Sequence, residues 1–261
     1  MPAHYAHYRF GKALLPVLPP EVRKAASRFP RLFEMGFQGP DPFFYYNILM
    51  KTQIGALGKG YHRYTGSEFF SAAGRRYRED PSEGALAYLF GVLAHYCLDA
   101  ACHPYINRYA ADHAVSHTTV EADFDRHLLT LDGEAHPETF DGSRYLRLTR
   151  GEAATAAVFY PPATQGDFLQ ASRNMAALIH WMCSPPGPRQ LALKAGLAIM
   201  RGKFSAYVRK AEPDPNCAEA CEMLTALCAQ AAGRSPAMAE SLYGHLTAGT
   251  QLSGDFTPTF E

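Results

Sequence analysis

Residues Ala85–Asn107 read ALAYLFGVLAHYCLDAACHPYIN and contain the longest uninterrupted apolar run of the chain. The first ten residues are apolar on every side of a helix, which predicts a helix in the middle of the protein. His95 and Asp99 are four residues apart, so they lie on the same helical face, and His103 follows where Pro104 is expected to end the helix. A buried carboxylate needs a charged partner or a metal. The stretch therefore predicts either a histidine–aspartate pair in the core or part of a metal site.

The sequence on both sides of this stretch predicts more helices. A capping box formed by Thr65 and Glu68 opens one helix, and Asp80 followed by Pro81 and Glu83 is typical of the start of the central one. No stretch alternates apolar and polar side chains as a half-buried strand does. We therefore predict an all-α protein.

The predicted helices form a single domain, residues 1–261, around the buried central helix. The candidate site residues fall in about the first 131 residues, and helices between about 167 and 247 are expected to close the core. Residues Lys51–Tyr64 look irregular, and residues 132–162 carry only a weak helical pattern. Further helices are predicted up to Gly36 and over His117–Leu131, Asp167–Met182, Gln190–Val208, Cys217–Ala232 and Pro236–Thr247.

Composition narrows the functional class. Hydrophobic residues make up 47% of the chain, which is enough for one sizeable core. Lys plus Arg equals Asp plus Glu at 25 each, and this balanced charge does not favour nucleic acid as a partner. The six cysteines lack zinc-finger spacing and are predicted to be reduced thiols. The N-terminus lacks the pattern of a secretory signal, which predicts a cytoplasmic location. The apolar run is about half as long as a membrane span, so no transmembrane segment is predicted.

Asp41 stands between Pro40 and Pro42 in a loop that follows Gly39. The two prolines restrict the backbone on both sides and present the carboxylate rigidly. The alternative is an ordinary turn or helix-cap aspartate.

A row of polar side chains follows on the predicted helix His117–Leu131. His117, Glu121 and Asp125 recur every four residues and therefore share a stripe. A solvated helix face has the same pattern as a row of metal ligands, so this helix alone does not decide between them.

Together these positions supply two sets of nitrogen and carboxylate ligands of the kind that zinc prefers. The i, i+4 pairs hold two ligands of each set on a rigid helix, and adjacent helix ends can bring two metals to the separation used by two-metal hydrolases. The first set is His62, His95 and Asp99, and the second is His103, His117 and Glu121.

The order of these motifs resembles the zinc-dependent phospholipase C family, the bacterial enzymes related to phosphatidylcholine-preferring phospholipase C and to clostridial α-toxin. The matching pieces cover about half of the chain: HYRFG at 7–11, GPD at 39–41, His62, HYCLDAACHP at 95–104 and HTTVE at 117–121.

The resemblance implies that these two sets hold two zinc ions and that Asp99 is shared with a third. In secreted members, the N-terminal residue and an early histidine hold that third zinc; His7 matches the histidine. The N-terminal tryptophan of those enzymes has no match in Met1–Ala3, and His4 is a candidate substitute. Asp41 matches the aspartate taken as the general base or the group that orients water.

The resemblance further implies hydrolysis of a phosphodiester, such as a phospholipid, by zinc-activated water. The β domain that α-toxin uses to engage membranes has no counterpart in this sequence. Two alternatives stay open: a nuclease or nucleotidase of related trinuclear-zinc architecture, and a non-enzymatic helical domain with structural zinc. The aromatic run Phe43–Tyr46 either borders a lipid or quaternary ammonium group or packs in the core. Asp125 is expected to orient a ligand histidine.

Overall fold

The computed structural model of the protein describes residues 4–183, 187 and 208–261. The regular elements in these ranges are helices, which confirms the predicted all-α class. In the same ranges β pairing is limited to one isolated bridge between Thr65 and Thr259. The helices, labelled α1 to α10 in chain order, are His4–Leu14, Pro20–Arg28, Pro30–Gly36, Ala56–His62, Gly66–Glu79, Glu83–Asp112, His117–Leu131, Arg150–Ala157, Gln165–Met182 and Ala218–Ala248.

Helix α6 runs through the core and packs against α2, α3 and α10. Every residue from Gly84 to Asp99 is buried, which confirms the predicted central helix. Ser82 caps its start, because the Ser82 hydroxyl accepts a hydrogen bond from the Ala85 N–H at 3.2 Å. The predicted cap, Asp80, is instead the C-cap residue of α5, directly after Glu79.

The predicted end of the central helix at Pro104 is wrong, because α6 continues to Asp112 with the proline inside it. A proline in a helix interior loses one hydrogen bond and costs about 3 kcal/mol. Ile106 and Tyr109 are buried beyond it, and each buried large apolar side chain contributes about 1.5–3 kcal/mol. Packing therefore outweighs the local break.

Two other predicted boundaries change for similar reasons. His62 lies on α4 and not in an irregular stretch; the glycine-rich sequence ALGKGYH has low helix propensity, but this helix packs on the turn Asp41–Tyr45. The two helices predicted around Ser235 are one helix, α10, with Pro236 inside it. The predicted helix Gln190–Val208 lies outside the described residues except for Val208, which is in a bend.

Among the described helices, α6 is the one long and apolar enough to cross a membrane, with a mean hydropathy of 1.5 over its most apolar window. However, 89% of that window is buried inside the protein. Burial of this kind is what the core helix of a helical domain requires.

Helices α3 and α6 cross at two glycines, Gly36 and Gly91. A Cβ atom at Gly91 would overlap the carbonyl oxygen of Phe33, and one at Gly36 would overlap that of Tyr88. The two backbones are therefore in direct contact. This crossing fixes the end of α3, and with it the loop that carries Asp41, against the middle of α6.

We predict that Gly91→Ala destabilises the protein by about 3 kcal/mol, because overpacking against backbone atoms cannot be relieved by a side-chain rotation. Gly233→Ala is the matched control. Gly233 is an exposed position inside α10 with no atom within 4 Å of the added methyl group, and alanine there should stabilise by about 0.5–1 kcal/mol. Chemical denaturation of both variants measures the difference. Equal stability of the two variants would contradict the close crossing.

Candidate metal centre

The structure brings the predicted ligand residues and Asp41 together in one buried cluster in the core. They come from four helices and one loop, and all but one are 3% exposed or less; the exception is His117, whose side chain is 29% exposed. The residues are His7 on α1, Asp41 on the loop after α3, His62 on α4, His95, Asp99 and His103 on α6, and His117 and Glu121 on α7.

Asp99 lies at the centre of the cluster, with four histidine rings around its carboxylate. Its Oδ1 is 3.2 Å from Nε2 of His7 and 3.6 Å from Nε2 of His103. Its Oδ2 is 3.0 Å from Nε2 of His95 and 3.5 Å from Nε2 of His62. The carboxylate thus has one oxygen for each of two histidine pairs, which is the arrangement a carboxylate shared between metals needs.

The second end of the cluster is on α7. Oε1 of Glu121 is 3.2 Å from Nε2 of His117 and 3.4 Å from Nε2 of His103. The three side chains offer ligand atoms within 4.8 Å of one another. Glu121 is buried, so at this position the stripe on α7 is not a solvated face.

The loop Gly39–Asp41 passes directly against the ring of His95. Gly39 has φ +47°, and a Cβ atom there would overlap that ring, so the close passage requires glycine. The loop places Oδ1 of Asp41 3.1 Å from Nε2 of His62 and 4.0 Å from Nε2 of His95. Asp41, His62 and His95 also offer ligand atoms within 4.8 Å of one another, as do His7, His95 and Asp99.

Four of the histidines use Nδ1 to contact a fixed oxygen. His62 contacts the Gly58 carbonyl at 2.6 Å, His95 that of Phe37 at 3.2 Å and His103 that of Phe260 at 3.0 Å. His117 contacts Oδ1 of Asn107 at 2.8 Å. A carbonyl only accepts, so Nδ1 carries the proton and Nε2 faces the cluster, as in histidines that bind metals.

These oxygen acceptors were not predicted. Three of them are backbone carbonyls, which leave no mark in side-chain spacing. Phe260 lies beyond Thr247, where the last predicted helix ends.

Burial would raise the pKa values of both acids at the centre, but the surrounding histidines outweigh it. His103 and His95 are the strongest contributors that hold the pKa of Asp99 well below its usual value. Hydrogen bonds from His103 and His117 likewise lower the pKa of Glu121. Both carboxylates are therefore ionised at neutral pH, as metal ligands must be.

The histidines respond in different directions. Burial lowers the pKa of His62, but the carboxylates of Asp41 and Asp99 more than compensate and raise it to about 10. Burial also lowers the pKa of His103, but Asp99 and Glu121 outweigh it and raise the pKa to about 9. At His95 burial wins over the attraction of Asp99, and the pKa falls.

The residues present fit a metal on the evidence of their own unsatisfied atoms. Buried polar atoms normally make hydrogen bonds, yet six on the residues of this cluster make none of good geometry, and one of them is Nδ1 of His7. The other five are Oδ1 of Asp41, Nε2 of His62 and of His95, Oδ2 of Asp99 and Oε2 of Glu121. These five belong to residues in the groups that could hold a metal ion, and they combine imidazole nitrogen with carboxylate oxygen, a donor set that suits zinc.

His4 and Asp125 lie next to each other beside the cluster. Asp125 accepts hydrogen bonds from the N–H groups of Tyr5 and Ala6, at 3.1 and 2.8 Å, so it caps the helix that carries His7. Its Oδ2 is 3.6 Å from Nδ1 of His4. Burial raises the pKa of Asp125 to about 6. Asp125 thus anchors the start of α1, and its histidine neighbour at 3.6 Å is His4. It does not contact a predicted ligand histidine directly.

The aromatic run after Asp41 divides between core and surface. Phe43 and Tyr45 are buried, and Tyr46 donates a hydrogen bond to Asp167 at 2.8 Å. Phe44 is exposed, and its ring centre is 5.4 Å from that of His62.

Comparison with known families identifies this arrangement. A family model described as "zinc dependent phospholipase C" matches residues 6–156 of the chain. The chain belongs to the zinc-dependent phospholipase C family. The match includes every residue of the cluster. Neither the curated proteins nor the solved structures gave a match to the chain.

Membership in the zinc-dependent phospholipase C family agrees with the geometry. The family depends on zinc, and the cluster contains several groups of histidines and acids that can hold a metal ion. Family and site together fit a metal-dependent phosphoesterase that acts on a phosphoester substrate.

We predict that zinc binding to the metal-free protein releases protons at pH 7. The raised pKa values of His62 and His103 mean that both rings are protonated there, and a ligand nitrogen must be neutral. The apparent affinity of each site should rise by up to about tenfold per pH unit between pH 6 and 8, since one proton competes with each zinc ion.

Calorimetric titrations in two buffers with different ionisation enthalpies measure the number of protons released. Calcium, which prefers oxygen ligands, is the control ion and should bind without this release. Zinc binding with no proton release at pH 7 would show that the two rings are neutral without metal.

Proposed function

We propose that this protein is a zinc-dependent phosphoesterase of the phospholipase C type, which hydrolyses a phosphodiester with water. The observation that supports it most strongly is the buried carboxylate of Asp99 between the Nε2 atoms of four histidines, with Asp41 in the same cluster.

The proposed ligand sets are those that the family resemblance implies, and the distances in the cluster support them. His62, His95 and Asp99 hold one zinc, and His103, His117 and Glu121 hold the other. Nε2 of His7 lies 3.2 Å from Oδ1 of Asp99. His7 therefore supplies one ligand of a third site, which shares Asp99.

In the reaction, a water oxygen forms a bond to phosphorus, and the ester P–O bond breaks to release an alcohol and a phosphomonoester. Bound zinc lowers the pKa of water and neutralises charge on the phosphate oxygens. Asp41 accepts the water proton or orients the water at Oδ1, an atom that makes no other hydrogen bond. The Nδ1 contacts hold the histidine rings in place, so no ligand must reorganise during the reaction.

The first test is metal content. Asp99→Asn and Glu121→Gln should each lose zinc, because each removes a charged ligand that two or more histidines contact. Asp112→Asn changes an exposed residue on α6, the helix that carries Asp99. It is the control and should keep its zinc. Elemental mass spectrometry of protein purified without chelator gives the result. Unchanged zinc in Asp99→Asn or Glu121→Gln would reject that ligand assignment.

The second test separates two roles that are open to Asp41. As a proton acceptor, Asp41→Asn should keep wild-type zinc content and lower kcat by roughly 10²–10⁴-fold. As a ligand, which the 3.1 Å distance to His62 permits, the variant should lose zinc together with activity. Full activity with full zinc content would exclude both roles.

The third test concerns the substrate. We expect hydrolysis of a choline phosphodiester and none of single-stranded DNA, because the chain has no net positive charge to attract a polyanion. The reverse result would favour a nuclease. A protein that binds zinc tightly and hydrolyses neither substrate would favour a helical domain with structural zinc.

A further inference from the structure

The segment that follows Asp41 presents an unusual number of apolar side chains to solvent. Leu49 and Met50 are the most exposed of them, at 76% and 65%. Half of the large apolar side chains that are exposed in the described part of the chain lie between positions 44 and 64. This exposed set, called here the 44–64 surface, consists of Phe44, Ile48, Leu49, Met50 and Tyr64.

Hydrogen bonds hold the tip of this surface in its outward position. Oδ1 of Asn47 accepts from the N–H groups of Leu49 and Met50, at 3.1 and 3.0 Å. This turn closes the backbone on itself and directs the two side chains away from the core. Apolar side chains that are held outward in this way do not pack into the core formed by the described residues.

The base of the segment is attached to α9. Nδ2 of Asn174 donates to the carbonyl groups of Tyr45 and Tyr46, at 3.1 and 3.0 Å. Between the segment and α9 lies an open groove of about 400 Å³, which Ile48, Leu49 and Trp181 line. Trp181 is itself exposed, so the apolar area extends from the tip across the end of α9.

The charged side chains on the segment itself have one sign. From position 42 to position 67 the chain contains no Asp or Glu but contains Lys51, Lys59 and Arg63, all exposed. The chain as a whole has a net charge of zero, so this segment is a local basic exception. Exposed apolar side chains beside basic ones are complementary to an anionic lipid surface, which has an apolar interior below a negative headgroup layer.

The surface is continuous with the metal centre. Asp41 and the tip at Leu49 are eight residues apart on the same segment, and the exposed ring of Phe44 lies 5.4 Å from that of His62. The ring of Phe44 therefore joins one end of this surface to the cluster.

We propose that the 44–64 surface, together with Trp181, docks the protein on an anionic phospholipid bilayer. Leu49 and Met50 enter the boundary between headgroups and acyl chains, Trp181 lies at headgroup level as tryptophans do at membrane interfaces, and the lysines contact phosphate groups. The consequence for catalysis rests on the proposed function, since docking would present a phospholipid to the metal centre; the docking itself does not.

The test is co-sedimentation of the zinc-loaded protein with vesicles of phosphatidylcholine and phosphatidylserine. The double variant Leu49→Ser/Met50→Ser should bind at least about tenfold more weakly, because two apolar side chains no longer leave water. Lys51→Gln/Lys59→Gln should weaken binding by about fivefold per lysine on these vesicles. It should have little effect on vesicles of phosphatidylcholine alone.

Leu131→Ser/Met223→Ser is the matched control. These two apolar side chains are also exposed but lie on α7 and α10, and their loss should leave binding unchanged. Helicity and zinc content show that each variant is folded. Wild-type binding by the Leu49→Ser/Met50→Ser variant, or an equal loss in the control, would overturn the proposal.

A second copy of the chain is the competing occupant of this surface. A wild-type dimer in sedimentation velocity that Leu49→Ser/Met50→Ser disperses, without any vesicle binding, would also overturn the proposal. Vesicle binding requires no turnover, so the two proposals fail separately. Hydrolysis of a soluble phosphodiester without vesicle binding removes only the docking surface, and binding without hydrolysis removes only the enzyme.

Discussion

The buried carboxylate of Asp99 is the constraint on which the rest of this structure depends. An ionised acid in a protein core costs several kcal/mol unless charges and hydrogen bonds compensate it. Here the compensation comes from four histidines on three helices: His7 on α1, His62 on α4, and His95 and His103 on α6. The positions of α1 and α4 against the central helix are therefore tied to one carboxylate. Without metal this compensation requires protonated histidine rings, and a bound cation takes the place of those protons, which is consistent with a family that depends on zinc.

Much of the site was accessible from sequence because its chemistry repeats at helical intervals. The spacing of His95, Asp99 and His103 needs only a helix to bring the three side chains into one row, and the length and apolar character of the stretch around them predict that helix. His117 and Glu121 follow the same rule on α7. Their burial was not accessible in this way, since a solvated stripe has the same spacing, and only packing against α6 distinguishes the two.

The rest depended on contacts between distant parts of the chain. His62 stands on a helix that glycine-rich sequence does not favour, and Pro104 lies within a helix that packing carries past it. The carbonyl of Phe260 contacts the ring of His103 across 157 positions in the sequence. Backbone acceptors of this kind have no residue preference, so no motif can record them. Sequence can therefore predict which side chains meet, but not what holds their rings in place.

The row on α6 also has a consequence for protein design. From His95 to His103 the row covers eight residue steps, or about 12 Å of helix, and the backbone of that one helix sets the positions from which its three side chains extend. Such a row is portable: an unrelated four-helix bundle could carry the same three side chains at the same spacing in its interior. His7 and His62 are not portable, because other helices must deliver them. A designed copy of this helix would thus contain the shared carboxylate from the start. The histidines that correspond to His7 and His62 would have to be placed on other helices of the new protein.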